Sequence, residues 1–234
     1  MKLRVIVVLG FLFLVSQVNA QEKLVLKNQK EKVSYSIGLN LGRNLGSDLK
    51  RQSIDIDPNI LAKGIQDALS GANPLLSNEE IQETMVAFQK ELSEKQKQRG
   101  ETFLAENKKK EGVITLPSGL QYKVIKGGTG KKPKLNDMVT VQYRGTLVDG
   151  TEFDSSYRRG QPATFQVLGV IRGWTEALPL MAEGAKWQLF VPPNLAYGER
   201  GAGGLIGPNA TLIFEIELIS VQENKQEKKQ ENKK

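Results

Sequence analysis

Residues 139–156 read VTVQYRGTLVDGTEFDSS. The segment 138–146 within and beside that stretch is rich in β-branched and aromatic residues, the composition of a strand, and Asp149-Gly150 is a dipeptide that closes a tight turn between strands. Taken with VIRGWTEAL at 170–178, LAYGERGAGG at 195–204 and ATLIFEIELISV at 210–221, it places several aromatic rings and one carboxylate on a single small half-barrel. Further strands are expected at 120–125, 163–167, 185–191 and 210–221. In the last of these Leu212, Phe214, Ile216 and Leu218 alternate with Glu215 and Glu217, so one face is buried and the other wet. The segment 173–181 is the only helical stretch expected in this half, ending near Pro179 and lying across the concave face of the sheet.

Upstream of Val113 the period changes to that of helices. Val33, Ile37, Leu41, Leu45 and Leu49 recur every four residues and draw an apolar stripe along one helix. Beside it run Ser34, Gly38, Gly42 and Gly46, although a glycine inside a helix costs about 1 kcal/mol relative to alanine. Close approach of another backbone offsets such a cost, either in a second copy of the chain or within the same one. Asp57-Pro58 reads as an N-cap and first turn for a second helix, whose apolar face is Ile60, Leu61, Ile65, Ala68 and Leu69 and whose end is Ser70-Gly71. Ser77 and Glu80 fit a capping box for a third, with Ile81, Met85, Phe88 and Leu92 inward. Residues 93–102, SEKQKQRGET, are polar on every side, as in an exposed connecting helix acting as a semi-rigid spacer, with Gly100 its weak point and Phe103 and Leu104 docking it.

The ends differ from this globular pattern. Lys2 and Arg4, the apolar run 5–15 and Val18-Asn19-Ala20 form a secretory signal over residues 1–20. Eleven apolar residues fall short of the roughly twenty that span a bilayer, which disfavours a membrane anchor. Residues 222–234 are low-complexity and charged, a disordered tail. The expected order is therefore signal at 1–20, helical domain at 21–92, connecting helix at 93–112, sheet domain at 113–221, then the tail. The net charge of +7 is spread along all of these, with no strongly basic segment, so no nucleic-acid surface is expected. The chain has no histidine and no cysteine. That removes the usual general base, the thiol nucleophile, any disulfide and most metal-ligand sets, so neither metal nor cofactor is expected.

Several long motifs carry a resemblance. Residues 113–221, through VQYRG, EFDSS, VIRGW, AYG and LIFE, resemble an FKBP-type peptidyl-prolyl isomerase domain. Residues 22–112, through EKVSYSIGLNLG, LAKGIQDALSG and FLAENKKKEGV followed by LPSGLQYKV, resemble the dimerisation domain and connecting helix of the Mip and FkpA group. The resemblance implies an α+β protein: an all-α N-terminal dimerisation domain, a long connecting helix, and a curved antiparallel sheet wrapped around a short helix. It also implies an activity, rotation about X-Pro bonds, that needs no proton or covalent transfer and so suits this inventory of side chains.

Carried over by motif, the catalytic pocket is Tyr143, Phe153, Asp154, Trp174, Tyr197 and Phe214, with Val170, Ile171, Arg159, Leu205 and Ile206 contacting substrate. Trp174 resembles the pocket floor, Val170, Ile171 and Phe214 its walls, Arg159 the partner of Asp154, and the Ile171 amide a donor to the peptide. Aromatic residues in strands are otherwise usually core. Asp154 reads as a rim carboxylate needing a partner, or as the cap of an Asp-Ser-Ser turn. Tyr197 reads as a hydrogen-bond donor to a substrate carbonyl, or as packing. Where familiar single-domain members carry a rim phenylalanine and a loop histidine, this chain has Ala163 and Ala202, which implies a more open rim. The implied partners are a second copy through residues 30–92, proline-containing unfolded chains, and macrolides such as FK506 or rapamycin. Export to the periplasm is implied, with outer-membrane association or secretion as other destinations. The competing reading is a non-catalytic chaperone or surface-adhesion protein using the same groove.

Overall fold

The computed structural model describes residues 25–51 and 54–224, which form two compact units, the first ending at Leu75 and the second starting at Leu76. The expected signal at 1–20 and the tail residues 225–234 lie outside the described residues. In the first unit, helix α1 spans Gln29–Arg51. Asn28 Oδ1 accepts the Glu31 N–H at 3.0 Å, and the Glu31 carboxylate accepts the Lys27 N–H at 2.6 Å, so two N-terminal donors are satisfied. Helix α2 spans Pro58–Ser70 between the Asp57 cap, which accepts the Asn59 N–H at 2.8 Å, and Gly71 in the left-handed conformation. The apolar stripe of α1 is uncovered: Val33 is 46%, Ile37 56% and Leu41 61% exposed. Apart from the flanking residues and the helix's own backbone, no atom among the described residues lies within 4 Å of where a Cβ on Gly38, Gly42 or Gly46 would stand.

Helix α3 opens the second unit and spans Asn78–Asn107 without a break. The Ser77 and Glu80 capping box is formed in both directions, at 2.8 and 3.2 Å. The third helix and the connecting segment are thus one helix of 30 residues, about 45 Å at 1.5 Å per residue. Two expectations fail here. Gly100 is no weak point but buried, and residues 93–102 are not solvated on every side. Ser93, Gln96, Phe103 and Leu104 are half-buried, and Gly100 and Asn107 buried, a stripe of helical period in which small and polar residues lead to Phe103 and Leu104, which dock as expected. Gly100 has no side chain because Thr211 stands there, its Oγ1 2.3 Å from where a Cβ would be. Around it the Phe103 and Phe190 rings pack at 5.9 Å, and Gln121 donates to the Leu104 carbonyl at 2.9 Å.

Seven strands follow: β1 Val113–Thr115, β2 Gln121–Lys126, β3 Met138–Leu147, β4 Glu152–Ser155, β5 Ala163–Gln166, β6 Lys186–Val191 and β7 Leu212–Gln222. They form one antiparallel sheet in the order β1-β2-β6-β7-β3-β4, with β5 also on β3. Strand β3 divides its outer edge, residues 138–141 pairing with β5 and 144–146 with β4, while β7 pairs with its whole length. A register shift between Thr140 and Val141 bends it there. The period-2 pattern turns Val139, Val141 and Tyr143 of β3 and Leu212, Phe214, Ile216 and Leu218 of β7 into one core with Leu189 and Val191 of β6. Each fully buried leucine or isoleucine among them contributes roughly 1.5–3 kcal/mol.

Helix α4, Arg172–Ala177, packs on that core through Trp174 and Ala177 and runs into a 3-10 turn at Leu178–Leu180. Pro179 is tolerated there because its missing N–H lies in the first turn. The helical stretch therefore begins one residue earlier than expected, and it is not alone, since 3-10 turns also occur at Val167–Gly169, Pro193–Leu195 and Gly198–Arg200. Strands β1 and β4 were not expected. The chain stays ordered past Val221, where the Asn224 N–H donates to the buried Asp137 carboxylate at 3.0 Å and Lys131 pairs with Glu223 at 2.9 Å.

Candidate active site

The indole of Trp174 stands at the centre of an aromatic box. Tyr143 from β3 and Phe214 from β7 each meet it edge-on with centroids 5.2 Å away, and Phe153 from β4 meets Phe214 edge-on at 5.5 Å. Such perpendicular pairs satisfy the ring quadrupoles and fix orientation. Gly145 makes the room, because a Cβ on it would lie 2.6 Å from the Phe153 ring and 2.9 Å from that of Phe214. Phe165 of β5, absent from the expected set, closes the box at 6.0 Å from both Tyr143 and Trp174. Its signal was the register of its own strand, since it sits opposite the buried Val139. Trp174 Nε1 is buried without a hydrogen-bond partner among the described residues.

Asp154 binds the polar edge of this box. Its carboxylate accepts from the Tyr143 hydroxyl, from Arg159 Nη1 and from the Ser155 N–H at 2.8 Å. Arg159 Nη2 in turn donates to the Tyr143 oxygen at 2.7 Å, and its guanidinium lies 5.3 Å from the Tyr143 ring centre. Burial pushes the Asp154 carboxyl up, but the bonds from Tyr143 and Arg159, the Arg159 charge and the Ser155 N–H together hold it below its ordinary value. Burial, then the bond to Asp154, pushes the Tyr143 phenol up. The triad is therefore an anion, a neutral phenol and a cation at neutral pH. The Ser156 hydroxyl accepts the Tyr143 N–H at 2.7 Å, so the residue that follows β4 also braces β3.

The other expected residues differ in how far the core covers them. Val170 and Ile171 are half-buried against the core just before α4, and the Ile171 N–H donates to no acceptor among the described residues. Ile206 is buried with the core, whereas Tyr197 and Leu205 stand outside it, 42% and 38% exposed. The Tyr197 hydroxyl makes no hydrogen bond among the described residues, and the following residue opens the 3-10 turn Gly198–Arg200. Ala163 is half-buried and Ala202 exposed. No group of three or more acidic residues among those described is gathered as a metal site.

Two family models match, the FKBP-type peptidyl-prolyl cis-trans isomerase over residues 129–219 and the domain amino terminal to it over 30–124. The chain is 52% identical to the outer membrane protein MIP of Legionella longbeachae, over 87% of this chain and 90% of that protein. It is 45% identical to the peptidyl-prolyl cis-trans isomerase Mip of Coxiella burnetii, over 84% and 89%. Among solved structures, that of FkpA from Escherichia coli aligns with a TM-score of 0.56 at 39% identity, covering 85% of this chain and 99% of that one.

Proposed function

This chain belongs to the FKBP-type peptidyl-prolyl cis-trans isomerases, and from that premise we propose that the box around Trp174 is where it turns X-Pro bonds. The protein is a peptidyl-prolyl cis-trans isomerase. What supports this reading is an apolar box with the Asp154 carboxylate at its edge, together with two donors, the Ile171 N–H and the Tyr197 hydroxyl, that have no hydrogen-bond partner among the described residues.

The barrier to rotation, roughly 18–20 kcal/mol, is amide resonance. A planar amide is strongly polarised and loses solvation in an apolar box, while the twisted amide, with less charge separation, loses less. The box therefore favours the transition state over the ground state. The proline ring stacks on Trp174 between Phe214, Val170 and Ile171, and the Ile171 N–H and Tyr197 hydroxyl orient the peptide carbonyls. Asp154, held charged by Arg159 and Tyr143, faces the rotating carbonyl and keeps the aromatic walls in place. Leu205 and Ile206 line the loop side, and Phe153 and Phe165 back the rings that touch substrate. With alanine at 163 and 202 the rim admits bulky chains and holds macrolides by the floor and walls alone.

The uncovered α1 stripe supports a homodimer through residues 30–92, in which the glycine row receives a second backbone. Two sites in one assembly raise the effective concentration for a client with several prolines, and this supports a chaperone role beside catalysis. The protein works outside the cytoplasm, in the periplasm or at the outer membrane, as the name of the Legionella relative suggests for that protein. No helix among the described residues is long and apolar enough to cross a membrane.

The test is the cis-to-trans rate of a short Leu-Pro peptide. Strong acceleration is expected, abolished by FK506 and weakened by Tyr197→Ala. A folded protein that leaves the rate unchanged overturns the reading.

A further inference from the structure

The turn that presents Tyr197 is held from two directions by one residue. The Asn209 main-chain N–H donates to the Gly198 carbonyl at 2.9 Å, closing the base of the loop that also carries Leu205 and Ile206. The Asn209 side chain leaves that loop altogether, and its Nδ2 donates to Ser93 Oγ on α3 at 2.9 Å. Among the described residues Asn209 is the one non-glycine with positive φ, 56°. Short polar side chains tolerate that conformation, and here it sends main chain and side chain to different partners.

Helix α3 is seated well enough to make this contact matter. Ser93, Gly100 and Asn107 recur every seven residues and so share a face. Asn209 meets the first, Thr211 fills the space at the second, and Gln121 accepts from the third at 3.0 Å. Beside the Ser93 contact lies a cleft of about 320 Å³ lined by Lys90, Glu94, Glu199 and Pro208. The hydrogen bond therefore borders an open cleft, and on that side no side chain fills the space between the loop base and the helix.

We propose that Asn209 is a positioning residue for isomerisation, tying α3 to the loop that presents Tyr197 to the peptide. The inference rests on the isomerase reading above and extends it: the arm helix is part of the active-site scaffold. Asn209 touches no substrate and acts through the Tyr197 hydroxyl.

The experiment compares kcat/KM for the Leu-Pro peptide in four full-length chains: unaltered, Ser93→Ala, Tyr197→Phe, and both together. Ser93→Ala, a better helix former at that position, is expected to lower kcat/KM roughly three- to tenfold, below the roughly hundredfold that a full ångström of misplacement can cost. In the Tyr197→Phe background the same change is expected to have no further effect. Asn209→Gly keeps the positive φ without the amide and reproduces the loss, while Asn209→Asp, able to accept from the Ser93 hydroxyl, restores most of the activity. Amide exchange in residues 198–209 is expected to quicken in Ser93→Ala while that of β3 and β7 stays as it was. An unaltered chain with no activity overturns the isomerase reading and this inference with it. An active chain in which Ser93→Ala is silent, or costs the same with and without the Tyr197 hydroxyl, overturns this inference alone.

Discussion

Asp154 accepts three hydrogen bonds at the edge of an apolar box, and its charge is what those bonds hold. Its folded pKa lies below its unfolded value of about 3.9, so the stabilisation is present above pH 4 and is lost as pH falls through the folded value. Comparing urea midpoints of the native chain and Asp154→Asn at pH 7 and at pH 3, we expect a gap at neutrality that narrows in acid. A gap of equal size at both pH values would mean that the carboxylate charge is not what matters. The Tyr143 phenol shifts the other way, so its contribution holds below about pH 10 and is lost above its raised value. Tyr143→Phe removes a donor from Asp154 and an acceptor from Arg159; both partners are charged, so the expected cost, read from the urea midpoint, is about 1.5–3 kcal/mol for each hydrogen bond. The pairing of Asp154 with Arg159 was implied by motif and is present, but the bond from the Tyr143 hydroxyl to Asp154 was not expected. The signal that hid Phe165 was equally local: an aromatic in a four-residue strand looks like core until its neighbours across the sheet are known.

Helix α3 shows what a helix boundary depends on. Composition suggested a solvated spacer after Leu92, because serine, glutamine and glycine read as outward residues. In the fold Ser93 and Gly100 face inward, since the surface they meet is the segment leading into β7, where only a glycine allows Thr211 to approach. Gly100→Ala would raise helix propensity by up to about 1 kcal/mol in isolation. In this protein we expect it to destabilise by about 1–3 kcal/mol through overpacking, measured by denaturant unfolding of the whole chain. Adding Thr211→Ala is expected to recover much of the loss, because the Oγ1 atom in the way is gone. A Gly100→Ala chain more stable than the native one would show that α3 is not seated there. By contrast, the caps of α2 and α3 stood in the sequence unambiguously, because Asp57-Pro58 and Ser77 with Glu80 bond within their own first turns.

At the scale of the molecule, the uncovered row on α1 is the feature that asks for a partner. Ile37→Glu puts a charge on that row, where Ile37 is 56% exposed in the single chain. Sedimentation is expected to report twice the chain mass for the native protein and one chain mass for the variant. The Leu-Pro peptide rate should be unchanged, because the box around Trp174 is built within the second unit, while refolding of a proline-rich client should slow. A native protein of single-chain mass would remove the dimer from this account. The sequence alone determined the division into helices and sheet, the caps, the strand faces and the family, because each rests on local spacing or on motifs read in order. Tertiary structure alone decided that Phe165 joins the box, that Gly100 locks α3 rather than weakening it, and that Asn209 spans from the Tyr197 loop to Ser93. These depend on which residues far apart in the chain arrive at one point, and no local period encodes that.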